Sequence, residues 1–278
     1  MDKVIIFGIY EFVSFHTCKT LLNKGVEVTG IHIDALENSP FFEEKRLEVG
    51  RNANFVERSL TEWKSLREEV VIPTTFLFSI YDLYMLNKET ILQKEKVIKP
   101  IIQFMEEYKN NASIVIILPI QMLRVKQEKS IEAFIERVKG CCTNIQMVYL
   151  PAVYGPWQPS SYLYQKAILS KWIKQEIIMD EREWTGDVLF VEDVTRTLIK
   201  TIETGHQGNF IIESGEKNYW EVCADYLQID GELIRANRNE PLPVDHQIDV
   251  ISVEKVTPFE DSISKQMELV QLLYSKEL

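Results

Sequence analysis

Cysteine and histidine are scarce, four of each in 278 residues. Cys18, Cys141, Cys142 and Cys223 show no CxxC spacing. That excludes a recognisable zinc site or disulfide framework, and scattered thiols suit a reducing cytoplasm. The adjacent Cys141-Cys142 pair reads as a small-residue packing site before a strand. Long apolar runs are missing too. No stretch approaches the roughly 20 residues a membrane helix needs, and the opening strand, broken by Gly8 and Glu11, is no signal peptide. A cytoplasmic chain without a membrane partner is expected. A basic stripe is also absent: 31 Lys and Arg face 42 Asp and Glu, a net charge of −11. Because KQEKS and EEKRLE intersperse their charges, no positive field exists for a phosphate backbone, so nucleic acid is an unlikely partner by composition.

What is present is an ordinary globular composition, 45% hydrophobic and 26% charged, long enough for a large core. The stretch VIIFGIYEFVSFHTCKTLLNKGVEVTGIHID, residues 4–34, reads as strand, tight loop, helix, turn and strand. Further strands are expected at Asn54–Arg58, Thr74–Ser79, Ser113–Leu118 and Gln146–Leu150, after Val4–Phe7 and Glu27–Ile33. Their β-branched, apolar character suits parallel strands covered on both faces. Helices are expected at Ser14–Asn23, Pro40–Val49, Thr61–Glu69, Lys88–Tyr108 and Gln127–Lys139. Ser39-Pro40 supplies a start signal, and Pro100 is expected to kink or divide the fourth helix. This alternation predicts a doubly wound α/β parallel sheet. Beyond residue 156 lie a helix near 161–175, the acidic IIMDEREWTGD, a strand and turn in GNFIIESGEKN, a helix in NYWEVCADYLQ and a last amphipathic helix from about Pro258. We assign residues 1–156 plus about 186–213 to a Rossmann-like domain. A small interleaved domain takes about 157–185 plus 214–278.

Four segments in this order resemble the extended short-chain dehydrogenase/reductase family, the NAD-dependent sugar-nucleotide epimerases and dehydratases. They are the opening βαβ unit, LPAVYGPWQP (150–159), LFVEDV (189–194) and GNFIIESGE (208–216), with VTPFEDSISKQM as a final match. The resemblance spans almost the whole chain. It implies the fold, and an NAD(P) cofactor if the pocket is open.

The cofactor loop departs from that pattern. Gly8-Ile9-Tyr10-Glu11-Phe12-Val13-Ser14 keeps one of the three glycines of GxxGxxG; Glu11 and Ser14 replace the others. The second glycine normally lets the pyrophosphate approach bare backbone at a helix N-terminus. A carboxylate about 4 Å from one phosphate charge costs about 4 kcal/mol at an effective dielectric near 20. Micromolar binding is worth only about 8 kcal/mol in total. Glu11 is therefore expected to remove much of the affinity, or to serve as the protein's own anion at the helix dipole; the alternative is that it swings into solvent. The acidic ribose ligand of the family falls on His32, with Asp34 on the same strand face. Ser59-Leu60 replaces its Asp-Leu adenine contact. A vestigial pocket with no tightly bound cofactor is expected.

The family's chemistry needs a tyrosine acid/base, a lysine four residues on that lowers its pKa, and a hydroxyl after the fifth strand. The window from Leu118 to Gln146 holds no tyrosine. Pro119 stands near the serine's place, and Val125 and Lys129 carry the Y-x-x-x-K spacing. A literal match at Tyr162 and Lys166 falls beyond the sixth strand and reads as a decoy on a surface helix. No catalytic residue is expected. Tyr154, Gly155, Pro156 and Trp157 read as a substrate loop or as a corner over the core. Trp63, Trp172, Trp184 and Trp220 read as packing residues, and Asp193 as the cap of the helix after it.

Three functions follow from these departures. The first is a non-catalytic member of the fold, a scaffold binding a protein or small molecule. The second is an atypical NAD(P)-dependent epimerase/dehydratase or oxidoreductase using substituted residues. The third is a dinucleotide-binding redox sensor. Ile91, Ile98, Ile101, Ile102 and Met105 mark the fourth helix for a homodimer with the fifth, or for covering the sheet.

Overall fold

The computed structural model describes residues 1–33, 41–65, 73–124, 128–172, 176–236 and 247–274. The expected strands form at β1 (Lys3–Phe7), β2 (Glu27–His32), β3 (Phe55–Ser59), β4 (Thr74–Ser79), β5 (Ala112–Pro119) and β6 (Ile145–Leu150). With β9 (Gly208–Glu213) and β10 (Ile248–Ser252) they make one eight-stranded sheet, ordered β10-β9-β6-β5-β4-β1-β2-β3, every neighbour parallel. This is the doubly wound, Rossmann-like α/β fold. All six residues of β4 are buried, as a central strand covered on both faces requires.

Helices follow the strands: α1 (Phe12–Asn23), α2 (Phe42–Val49), α3 (Leu60–Ser65), α4 (Ile80–Met85), α5 (Glu95–Glu107) and α6 (Lys129–Cys141). The short α4 was not expected from the sequence. All its residues are buried, so IYDLYM has no polar face to give a helical period. Pro100 lies inside α5 and does not divide the segment; the break comes at Lys94, after a 3-10 turn over Glu89–Gln93. Ile91, Ile98, Ile101 and Met105 are all at most 3% exposed, and Ile102 packs partly buried against the core. The Ser39-Pro40 start signal lies outside the described residues.

Beyond β6, β7 (Ala152–Tyr154) pairs with β8 (Val188–Phe190), and the later helices are α7 (Leu163–Leu169), α8 (Val191–Glu203), α9 (Tyr219–Tyr226), α10 (Gly231–Ala236) and α11 (Phe259–Tyr274). One boundary moves: β10, expected in the small domain, extends the main sheet. Its IDVIS pattern is half-exposed and was too weakly apolar to read as a strand. Asp193 does not cap α8. It sits in the first turn, buried, and accepts hydrogen bonds from the Thr257 N–H (2.8 Å) and hydroxyl (2.7 Å), tying α8 to the approach of α11. Trp63, Trp184 and Trp220 are buried packing residues, and Trp172 packs partly buried.

Candidate functional site

The site is built where β1 turns into α1. Gly8, at φ +69, adopts a left-handed conformation that favours glycine, and its N–H bonds the Ile31 carbonyl at 2.9 Å. The turn then delivers Glu11 to the N-cap of α1, where its side chain makes no capping bond. The first free N–H groups of the helix are answered from elsewhere. The Val13 N–H donates to both carboxylate oxygens of Asp82, at 3.0 and 3.1 Å, and the Ser14 N–H donates to one of them at 3.3 Å. Asp82 is wholly buried in the first turn of α4, itself capped by the Ser79 hydroxyl. An internal carboxylate therefore occupies the helix N-terminus at which a dinucleotide places its phosphates.

A cation closes the other side of the turn. Lys45 of α2, 2% exposed, donates from Nζ to the Tyr10 carbonyl at 2.8 Å. The Phe42 ring meets Tyr10 edge-on at 4.6 Å. Among the described residues, Gly8, Ile9, Tyr10, Glu11, His32, Ile33 and Phe42 line a cavity of about 10 Å³. That volume suits about one water molecule, whereas ligand pockets run to several hundred Å³. Among the described residues, a pyrophosphate laid across this turn would have to displace Asp82 and open the Tyr10–Phe42 contact. The residues present do not fit the group.

Glu11 corrects the expectation drawn from sequence. It neither faces an open phosphate site nor swings into solvent, being 4% exposed with one carboxyl oxygen unpartnered. Burial pushes its pKa up to about 7, with the Asp82 charge adding and Lys88 and Lys45 opposing. Asp82 is pushed up to about 6 by burial, against the stabilising N–H of Val13, the Ser79 hydroxyl and the Ser14 N–H. Burial lowers the Lys45 ammonium, and Glu11 and Asp82 hold it up. The internal anion does exist, but it is Asp82. Ser14 is accommodated with no exposed surface, as its size allows.

Ser59, Leu60 and His32, which the resemblance assigns to the cofactor, make contacts within the fold. Ser59 and Glu62 form a reciprocal capping box on α3: the Glu62 N–H donates to the Ser59 hydroxyl at 3.0 Å, and the Ser59 N–H to the Glu62 carboxylate at 2.9 Å. Leu60, the first residue of α3, is buried. His32 ends β2 half-buried, its ring 6.2 Å from Phe42. Asp34 lies outside the described residues.

Two of the three positions that the resemblance assigns to catalysis, Pro119 and Lys129, lie among the described residues. Pro119 is the last residue of β5, Val125 lies outside the described residues, and Lys129 opens α6 exposed to solvent. Tyr162 and Lys166 depart from the surface decoy expected. Tyr162 precedes α7 and is 3% exposed, its ring 5.9 Å from Phe12 at the start of α1. Among the described residues its hydroxyl has no hydrogen-bond partner. Burial holds the phenol well above its ordinary pKa, and Asp82, Tyr81, Glu11 and Glu183 reinforce this. An acid/base tyrosine needs the opposite shift. Lys166, which would supply it in the family's arrangement, donates instead to the Ile178 carbonyl at 3.0 Å.

The acidic segment 176–187 is fastened to the residues after β4 and β5. Arg182 makes a bidentate pair with Glu89, both bonds at 2.9 Å, and bonds the Tyr84 carbonyl, its guanidinium 4.4 Å from the Tyr84 ring centroid. The Gln121 amide, just beyond Pro119, donates to the Arg182 carbonyl at 2.5 Å. Glu183 is buried behind it, and burial pushes its pKa up to about 7, aided by Asp180. Tyr154, Gly155, Pro156 and Trp157 form a corner over the core. Tyr154 is fully buried with its hydroxyl 2.6 Å from that of Ser262, and a Cβ on Gly155 would lie 2.6 Å from Val191. His16 Nε2 lies 2.7 Å from the Pro156 carbonyl. Burial lowers the His16 pKa to about 3, so its neutral ring donates from Nε2. Trp157 bonds Glu48 on the surface.

Sequence reasoning missed Asp82, Lys45, Arg182 and Glu183. A signal existed for Asp82: Ser79-Ile-Tyr-Asp82 is a helix-start pattern directly after a strand. Lys45 and Arg182 offer none, because each is placed by tertiary structure alone.

No family model matches the chain, and no curated protein matches it in sequence. Solved structures match it over nearly its whole length. A UDP-glucuronic acid 4-epimerase from Bacillus cereus, in complex with UDP-glucuronic acid and NAD, is 14% identical with a TM-score of 0.67, covering 98% of this chain and 100% of that one. The Bordetella bronchiseptica enzyme WbmH, in complex with NAD+, is 16% identical with a TM-score of 0.65, covering 98% of each chain. TunA, an NAD-dependent NDP-hexosamine 5,6-dehydratase, is 13% identical with a TM-score of 0.64 over the same shares. At these identities the likeness establishes the fold.

Proposed function

We propose that this chain, with the fold of NAD-dependent epimerases and dehydratases, is a scaffold that does not carry hydride and works by binding a protein or small-molecule partner. One observation carries the reading: Asp82 accepts the Val13 and Ser14 N–H groups at the α1 N-terminus. A phosphate brought there would meet a fixed carboxylate, and evicting Asp82 would strand a buried charge, a cost of roughly 3–5 kcal/mol. The neutral Tyr162 phenol and the absence of a tyrosine between Leu118 and Gln146 point the same way. Titration calorimetry with NAD and NADP, joined to absorbance of the denatured protein, tests it. The expected result is no released nucleotide and no heat at micromolar ligand; micromolar binding of either dinucleotide overturns the reading.

The second reading, an atypical NAD(P)-dependent nucleotide-sugar epimerase, dehydratase or oxidoreductase, is favoured by two observations. The neighbours bound to NAD match 98% of the chain, and Tyr162 enters the same buried cluster as Glu11 and Asp82. Under it the cleft opens on binding, Asp82 gives way, and Tyr162→Phe abolishes turnover.

A further inference from the structure

At the opposite end of α6 from the cleft, the chain carries two adjacent thiols that neither reading uses. Cys141 is the last residue of α6 and partly exposed; Cys142 follows in extended backbone and is 5% exposed. Their sulfurs lie 3.4 Å apart. Each thiol donates to a carbonyl, Cys141 to Val138 at 3.3 Å and Cys142 to Met105 at 3.5 Å, which leaves a lone pair on each sulfur free of those contacts.

The geometry narrows what this pair can hold. A disulfide would require the sulfurs to close to about 2.05 Å with Cα atoms usually 4.4–6.8 Å apart, whereas neighbours across a trans peptide are held at about 3.8 Å. Such a bond would be strained and easily reduced. A tetrahedral metal site needs further ligands, and no group of three His, Cys, Asp or Glu stands together among the described residues. What suits two sulfurs at van der Waals separation is a soft centre with two exchangeable positions that bridges them without forcing them together.

We propose that Cys141 and Cys142 form a chelating dithiol site for trivalent arsenicals. In the reaction an organoarsenic(III) diol loses both hydroxyls: two As–O bonds break, two As–S bonds form, and each thiol proton leaves with a hydroxide as water. Arsenic stays trivalent and no electron moves. Burial and the neighbouring Cys141 push the Cys142 thiol up to about 12, and the step tolerates this because its proton departs with the leaving group. The partly exposed Cys141 takes the first bond. The second is then intramolecular, which multiplies affinity by about 10²–10⁴. Cys18 and Cys223 have no exposed surface and cannot compete in the folded chain.

The experiment uses the full chain and phenylarsine oxide, read by intact mass, thiol titration and peptide mapping. One arsenical per chain is expected, consuming two thiols, mapped to the 141–142 peptide and released by a dithiol but not by a monothiol. Cys141→Ser and Cys142→Ser are each expected to weaken uptake at least about 100-fold, with Cys18→Ser unchanged. If Cys142→Ser fails to fold, mapping on the wild-type chain and the partly exposed Cys141→Ser still decide. No uptake by the folded wild type, uptake that survives Cys141→Ser, or a 141–142 disulfide closing under hydroperoxide in a chain that ignores the arsenical would each overturn the proposal.

Discussion

The Asp82 carboxylate and the Val13 N–H face each other at 3.0 and 3.1 Å across 69 residues of sequence, joining the start of α4 to the start of α1. A charged acceptor on buried backbone donors is worth more than an ordinary hydrogen bond, and losing it leaves those donors unpaired. Asp82→Ala is expected to destabilise the chain by about 2–4 kcal/mol, measured by urea unfolding. A loss under about 0.5 kcal/mol would show that the carboxylate does not hold the helix end.

Restoring glycine at position 11 is not expected to restore a cofactor. Glu11→Gly removes one buried carboxylate but leaves Asp82 on the N–H groups and Lys45 on the Tyr10 carbonyl. Calorimetry should show no micromolar NAD binding to Glu11→Gly, and at least a tenfold gain in the Glu11→Gly, Asp82→Ala pair. Tight binding by the single variant would assign the closure to Glu11 alone.

Stability should fall as pH rises from about 5 to 8. Glu11 and Glu183 have folded pKa values of about 7 and Asp82 of about 6, all above their unfolded values. The native state thus holds protons more tightly than the unfolded chain across that window, and unfolding free energy declines with pH. The penalty is absent below the ordinary carboxylate range and complete above about 8; buried neutral His16, its pKa lowered to about 3, opposes it up to the ordinary histidine range without reversing the sign set by three carboxyls. Urea midpoints at pH 5, 6, 7 and 8 read it; a midpoint rising over that range from these groups is the contrary result.

Tyr162→Phe is expected to leave stability unchanged or raise it by up to about 1 kcal/mol, because it removes a buried hydroxyl without a partner. A thermal melt decides. A loss of 2 kcal/mol or more would reveal a bond to that oxygen.

Arg182→Ala should loosen the segment 176–187. The variant leaves Glu89, 6% exposed, without its bidentate partner and frees the Tyr84 contact. A loss of about 2–4 kcal/mol and faster proteolysis between Trp172 and Asp187 are expected. Unchanged cleavage would mean that other contacts hold the segment.

The parallel sheet was legible because its strands are short apolar runs between helical stretches, and Thr74–Ser79 was placed to the residue. The single glycine of the first loop was equally legible, being a matter of residue type at fixed spacing. The state of Glu11 was not. Whether a carboxylate faces solvent, a ligand or the core depends on Lys45, Asp82 and Lys88, which tertiary structure brings near. Tyr162 was misplaced for a related reason: helical spacing to Lys166 says which residues share a face, and nothing about which face is buried. The β10 strand escaped because an edge strand needs little apolar surface.

Under the proposed scaffold reading, the Asp82 carboxylate at the α1 N-terminus also constrains mutational routes. A carboxylate that fastens two helices contributes to holding the chain together, so any single change that vacates the coenzyme position lowers the folded fraction before a nucleotide has gained anything from it. Under that reading, a path to dinucleotide binding must cross weakly folded intermediates or change several residues at once, so the Asp82 contact behaves as a ratchet.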